Sequence, residues 1–406
     1  MIQYKFPLGQ NVHDSDDILA MITQLLTEKF TMGERCFEFE KAFAANVGAK
    51  YAVMVNSGSS ANLLTISALT NYKYNSKLSI GDEVLIPAVI WSTSLFPIIQ
   101  HKLIPIFVDT DATTLNIDLD DLERKITPKT KALMLVHVLG NCCDMERLME
   151  IVRKHNLILI EDTCESLGSS FSNKYLGTFG AIGTYSFYYS HHITTIEGGM
   201  VVTDDEEIFE QILCQRAHGW TRSLKNKSSI HAQNPTIDER FCFYNIGYNV
   251  RPTELAGAMG LSQLTKLETK NNNRKINYYK IKEKIEKDPR GTFLRFPEKC
   301  DSTDAIWFGV VLFLNKSSTD LNTPTRKEYC NYLESKGVET RPIISGNFIR
   351  QPVVKDLYPE LDPLAFPGAE IIHHNSLFIG LPCSLMSDKT IDELVEILLS
   401  YDGTKV

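Results

Sequence analysis

The sequence predicts an α/β protein with a large domain over residues 1–261, built on a mainly parallel sheet. A smaller α+β domain is expected over residues 262–406. Three observations carry this reading. Short apolar runs recur before residue 262 without in/out alternation, as strands buried on both faces require. Helical patterns separate them, giving the βα alternation of a doubly wound fold. Near residue 262 the composition then shifts to a long, charged helical stretch.

In chain order, the expected strands are "EVLIPAVIW" (83–91), "IPIFVD" (104–109), "KALMLVHVLG" (131–140), "LILIED" (157–162) and "GTYSFYY" (183–189). "DMERLMEIVRKHN" (144–156) reads as a helix whose N-terminus Asp144 can cap. "LSQLTKLETKNNNRKINYYKIKEKIEKD" (261–288) is the charged helix that leads out of the large domain. Beyond it come a strand, "AIWFGVVLFL" (305–314), and a helix (323–337) closed by Gly337. A second strand (338–344) and a final amphipathic helix (387–402), capped by Ser387 or Asp388, complete the order. Neither an internal repeat nor a low-complexity tract is present.

The bulk properties exclude several classes. A net charge of -8 argues against nucleic acid or an anionic membrane as the main partner. No run reaches the ~18 apolar residues of a membrane span. The start lacks a basic and then apolar leader, so a cytoplasmic protein is expected. Nine cysteines are scattered without a C-x-x-C pair, and the adjacent Cys142 and Cys143 suit one metal ion poorly. We expect reduced thiols and no metal site.

Several local features could carry chemistry, each beside a plainer reading. "NSGSSANLL" (56–64) puts Gly58, Ser59 and Ser60 before an apolar helix, either a phosphate site or an ordinary helix cap. Asp162 ends a buried strand, where ligands of open α/β sheets sit, or simply caps the next helix. Glu165 is then a ligand group or a first-turn acid. Trp91 either stacks on an aromatic ligand or belongs to the core. "SFYYSHHITTIEGG" (186–199) offers Ser186, His191 and His192, which are otherwise plain loop residues. His218, Arg222, Arg251, Arg341 and Arg350 suit a diphosphate or sugar hydroxyls, or are structural.

The order of these pieces resembles fold-type I pyridoxal phosphate enzymes, and more closely the DegT-type nucleotide-sugar aminotransferase family. The resemblance runs from "FTMGERCFEFEKAFAANVGAKYAVMVNSGSSANLL" through "GYNVRPTELAGAMGLSQL" into the C-terminal helix. It implies that Ser59, Ser60 and Ser186 hold the cofactor phosphate, Trp91 stacks on the ring and Asp162 meets the pyridine nitrogen. Glu165 falls where the family often has His or Gln. Asn249 matches a residue that reaches the neighbouring subunit's phosphate, which implies a homodimer with shared active sites.

Two positions in this stretch depart from the pattern, the first of them decisively. Family members commonly place a lysine five residues after the serine, and here that residue is His191, with Ile196 in place of the first glycine of Gly-Glu-Gly-Gly. No lysine lies between Lys174 and Lys225. The exchange resembles the 3-dehydratase branch, which removes the C3 hydroxyl of GDP- or CDP-linked 4-keto-6-deoxy sugars. The implied reaction uses pyridoxal and pyridoxamine phosphate with glutamate as amino donor. Its product is a 4-keto-3,6-dideoxy sugar for surface polysaccharide. His191 is the expected base, with His192 as the alternative. The isolated Cys300, Cys330 and Cys383 imply no iron–sulfur cluster. The rival readings are an aminotransferase using untethered pyridoxamine phosphate, and a silent sugar-binding paralogue.

Overall fold

Seven strands form the main sheet of the computed structural model, which describes residues 4–9, 12–73, 77–315 and 324–401. Residues 323 and 402, at the ends of two expected helices, lie outside the described residues, as do residues 1–3 of the expected leaderless start. The strands up to residue 203 are β1 (Tyr51–Val55), β2 (Glu83–Pro87), β3 (Ile104–Val108), β4 (Thr130–Val136) and β5 (Ile158–Asp162). After them come β6 (Ser170–Phe171), β7 (Lys174–Tyr175), β8 (Ile182–Ser186) and β9 (Gly199–Thr203). The main sheet has the order β1-β9-β8-β5-β4-β2-β3. All its neighbours pair in parallel except β9, which runs antiparallel to both β1 and β8. The expected mainly parallel α/β architecture is what is found.

The sheet is buried on both faces by helices. Helix Gly58–Leu69 packs on β8 and β9 and buries Leu64 and Ile66 completely. Side chains of that size contribute roughly 1.5–3 kcal/mol each when fully buried. Asp144 caps helix Met145–Lys154 as expected, accepting from the amides of Glu146 and Arg147 at 3.0 and 3.2 Å. Leu148, Ile151 and Val152 of that helix face the core.

The later strands are β10 (Leu294–Arg295), β11 (Thr303–Asp304), β12 (Gly309–Leu314), β13 (Thr340–Arg341) and β14 (Ser376–Gly380). Four of them form a second, antiparallel sheet in the order β10-β12-β14-β13. The remaining strand, β11, turns back and pairs with β6 of the earlier chain. The charged stretch at 261–288 is two helices, Glu254–Leu264 and Leu267–Lys287, broken at Thr265 and Lys266. Gly337 follows helix Arg326–Ser335 at φ 82°, a conformation that glycine adopts without strain.

Candidate active site

The carboxyl ends of the parallel strands open on one edge of the main sheet, where helix N-termini and connecting loops meet. β5 ends at Asp162 and β8 at Ser186. The chain after β2 reaches Trp91, which precedes helix Ser92–Gln100. β1 leads through Ser57 into helix Gly58–Leu69. Between them lies a cavity of about 770 Å³, lined by Gly58, Ser59, Trp91, Asp162, Glu165, Ser186, His191 and Arg341 among others. The described residues that line it include no lysine.

Asp162 is fixed by three donors. Asn62 Nδ2 and Ser94 Oγ donate to Oδ2 at 2.8 and 2.7 Å, and the Cys164 amide donates to Oδ1 at 3.2 Å. Asn62 is held in turn by Thr184 Oγ1, which donates to Asn62 Oδ1 at 2.7 Å. Glu165 behaves differently. Burial, with the Asp162 charge adding to it, pushes its carboxyl up to about 8, so it enters the site protonated at neutral pH.

Opposite this pair, Ser57 begins the small-residue turn, its Oγ accepting from the Ser60 amide at 3.1 Å. A Cβ on Gly58 would come within 2.6 Å of Ser186 Cβ and 2.9 Å of Cys164 Sγ, so bare backbone is required there. Trp91 is 57% exposed, which rules out the core reading and leaves its face open to the cavity. A helix N-terminus, a carboxylate and an open indole together fit a phosphorylated pyridine ring.

The two histidines take different places. His191 lines the cavity, and its Nδ1 lies 3.2 Å from the Ser186 carbonyl. A carbonyl can only accept, so Nδ1 carries the hydrogen and Nε2 keeps a lone pair. Burial lowers the His191 imidazole to about 4, against the partial support of that carbonyl. His192 is fully buried; its Nε2 donates to the Ile306 carbonyl at 3.2 Å and its Nδ1 has no partner. Burial lowers its basicity as well. Ile196 has φ 72°, a left-handed conformation that a β-branched residue adopts only under strain.

Other expected site residues lie off this cavity lining. The Ser60 hydroxyl is engaged by Ser57 Oγ at 3.0 Å. Arg350 is paired with Glu370 through two nitrogens, and that pairing holds the Glu370 carboxyl down to about 2. Arg222 stacks on Trp220 at 4.0 Å, and His218 meets the same ring edge-on at 4.8 Å. Arg251 Nε donates to Asn249 Oδ1 at 3.0 Å. Sequence reasoning missed Ser57, Asn62, Ser94 and Phe308. The first two lie within the phosphate stretch 56–64, Asn62 one helical turn after Gly58, so period alone could have found it. Ser94 follows Trp91 closely on the helix that Trp91 begins. Nothing in the local sequence marks Phe308. Among the described residues, no three His, Cys, Asp or Glu side chains are grouped as metal ligands. No described helix is long and apolar enough to cross a membrane.

Comparison with known proteins agrees with this geometry. The DegT/DnrJ/EryC1/StrS aminotransferase family matches residues 12–399. The chain is 41% identical over 400 residues to GDP-4-keto-6-deoxy-D-mannose 3-dehydratase of Escherichia coli O55:H7, covering 98% of this chain and 100% of that protein. Its fold matches a solved structure of the E. coli GDP-4-keto-6-deoxy-D-mannose-3-dehydratase with bound hydrated PLP. That match has TM-score 0.89 and 40% identity, over 98% of this chain and 100% of the other. A structure of GDP-4-keto-6-deoxymannose-3-dehydratase with a trapped PLP–glutamate geminal diamine matches at TM-score 0.87 and 40% identity, over 97% and 100% of the two chains.

Proposed function

The chain belongs to the DegT/DnrJ/EryC1/StrS aminotransferase family, and from that premise we propose that it is a pyridoxal phosphate-dependent 3-dehydratase of a GDP-linked 4-keto-6-deoxy sugar. Glutamate is the amino donor, and the product is a 4-keto-3,6-dideoxy sugar of the kind built into surface polysaccharide. The observation that carries this is His191: a cavity-lining imidazole with a free Nε2 occupies the place of the family's lysine.

When bound, the pyridoxamine form would supply an amine for the C4 ketone and a ring able to take up electrons. Asp162, held by Asn62, Ser94 and the Cys164 amide, meets the pyridine nitrogen. The Gly58–Ser60 turn and Ser186 bind the phosphate, and Trp91 covers the ring face. Protonated Glu165 is a hydrogen-bond donor inside the site, where an ionised acid would only accept. His191 Nε2 removes a proton next to the ring and delivers it to the departing C3 oxygen. An imidazole forms no stable link to the cofactor, so noncovalent contacts alone hold it. The reaction balances: glutamate becomes 2-oxoglutarate and ammonia, and the sugar loses one oxygen.

Asn249, His218, Arg222 and Arg251 are not among the residues that line their own cavity, and with the family resemblance at Asn249 this fits a homodimer in which they serve the partner's site. Arg341 is the arginine that lines the cavity from the same chain. The division into domains at 261/262 belongs to the same proposal. Incubation with GDP-4-keto-6-deoxymannose, glutamate and cofactor, followed by mass spectrometry, tests the reading. A sugar lighter by one oxygen, with ammonia released, is expected. An amino sugar would replace the dehydratase reading by the aminotransferase one, and no turnover would refute both.

A further inference from the structure

His191 is held by more than its own loop. Its ring meets the ring of Phe308 edge-to-face, with centroids 5.2 Å apart and planes at 86°. Tyr188 meets it in the same manner at 5.9 Å and 78°. Phe308 enters the cavity from a different part of the chain, the segment between β11 and β12. Its backbone is fixed from both sides: its amide donates to the Leu139 carbonyl at 3.0 Å, and its carbonyl accepts from Arg274 Nη1 at 3.0 Å. Arg274 is itself buried and donates a second bond to the Leu381 carbonyl at 2.9 Å. The Phe308 ring also lies 5.8 Å from His192 and 6.2 Å from Phe378. A ring so anchored has little freedom to follow its neighbour.

We propose that Phe308 is a positioning residue for His191: its ring keeps the imidazole seated on the Ser186 carbonyl and excludes water from that edge, which leaves Nε2 as the proton-accepting atom. The proposal rests on His191 being the base of the reaction. The charged and titratable groups around the imidazole are Asp162 at the end of β5, Arg274 on helix Leu267–Lys287, and His192 beside it. The other titratable side chains of the cavity lining are His137, Cys164, Glu165, Tyr188, Tyr189, Glu197, Glu339 and Arg341. The ring fills the space beside the imidazole and keeps water from it, which disfavours the charged form. Loss of the ring therefore acts in one direction: water enters and His191 becomes easier to protonate.

The test uses the holoenzyme with Phe308→Leu and Phe308→Tyr. The His191 imidazole is followed by NMR of ring-labelled histidine, assigned with His191→Asn, and kcat and KM are measured against pH. In Phe308→Leu we expect the His191 pKa to rise by about one unit. We also expect kcat to fall by about tenfold, with KM little changed. Phe308→Tyr, which keeps the ring edge, returns both toward the parent. Should the leucine variant not fold, Phe308→Met fills the volume without the ring and gives the same reading. An unmoved His191 pKa in a folded variant, or a tyrosine variant no better than leucine, overturns the proposal. If His191→Asn still dehydrates, the base assignment fails instead, while the pKa shift continues to report on Phe308.

Discussion

Acidification from pH 7.5 to 5.0 should cost the folded protein about 2 kcal/mol through His191 alone. The folded imidazole titrates at about 4, against ~6.5 in an unfolded chain. Above 6.5 both states hold a neutral ring, and the group leaves stability unchanged. Between 6.5 and 4 only the unfolded state takes the proton, so stability falls as pH falls. Each unit in that window is worth about 1.4 kcal/mol, and the 1.5 units or so from 6.5 to 5.0 give that loss. His191→Gln retains an amide that can donate to the Ser186 carbonyl but does not titrate. Urea unfolding of cofactor-depleted parent and variant at both pH values isolates the effect, because the other groups titrate in both proteins. The parent should lose about 2 kcal/mol more than the variant. Equal losses would place His191 in a water-like setting and refute its burial as the cause of the shift.

Three further outcomes are expected. His191→Lys should acquire a covalent link to the cofactor that borohydride fixes, and should cease to dehydrate; continued dehydration would move the base elsewhere. Ser94→Ala removes one of the two donors to Asp162 Oδ2 and should weaken cofactor binding by about tenfold, read by fluorescence titration. Ile196→Gly relieves the φ of 72° and should raise unfolding stability by about 1 kcal/mol, measured by denaturant midpoint.

Strand cores were legible wherever burial on both faces left an unbroken apolar run, as in β4 and β5. Their ends were not. "KALMLVHVLG" stops being strand at Val136, because Val138–Gly140 turns with Leu139 at φ 50° and Gly140 at φ 95°. "GTYSFYY" stops at Ser186, where the chain folds back so that the Phe187 amide donates to the Gly198 carbonyl. β1 and β9 were not singled out as strands; pairing across some 150 residues, Tyr51 with Thr203, leaves no local trace. At the site, Asp162, Trp91 and His191 were readable because each ends a strand or follows one at a fixed offset. The choice between His191 and His192 was not, since it depends on which ring faces the cavity and which meets the Ile306 carbonyl. Phe308 was invisible for the same reason: its partner is distant in the chain.

Because β11 pairs with β6, the molecule resists dissection into two pieces at 261/262. Ending the chain there would strip Phe171 of its strand partner Thr303. Gly140 would lose the Ile306 carbonyl that now crowds it, at 2.1 Å from where a Cβ would stand. The Ser169 hydroxyl, which accepts from the Ile306 amide at 2.9 Å, would be left facing solvent. His192 would lose the Ile306 carbonyl, the acceptor on its Nε2, and the Phe308 ring packed beside it. A fragment carrying every predicted cofactor contact would therefore be a poor stand-in for the enzyme.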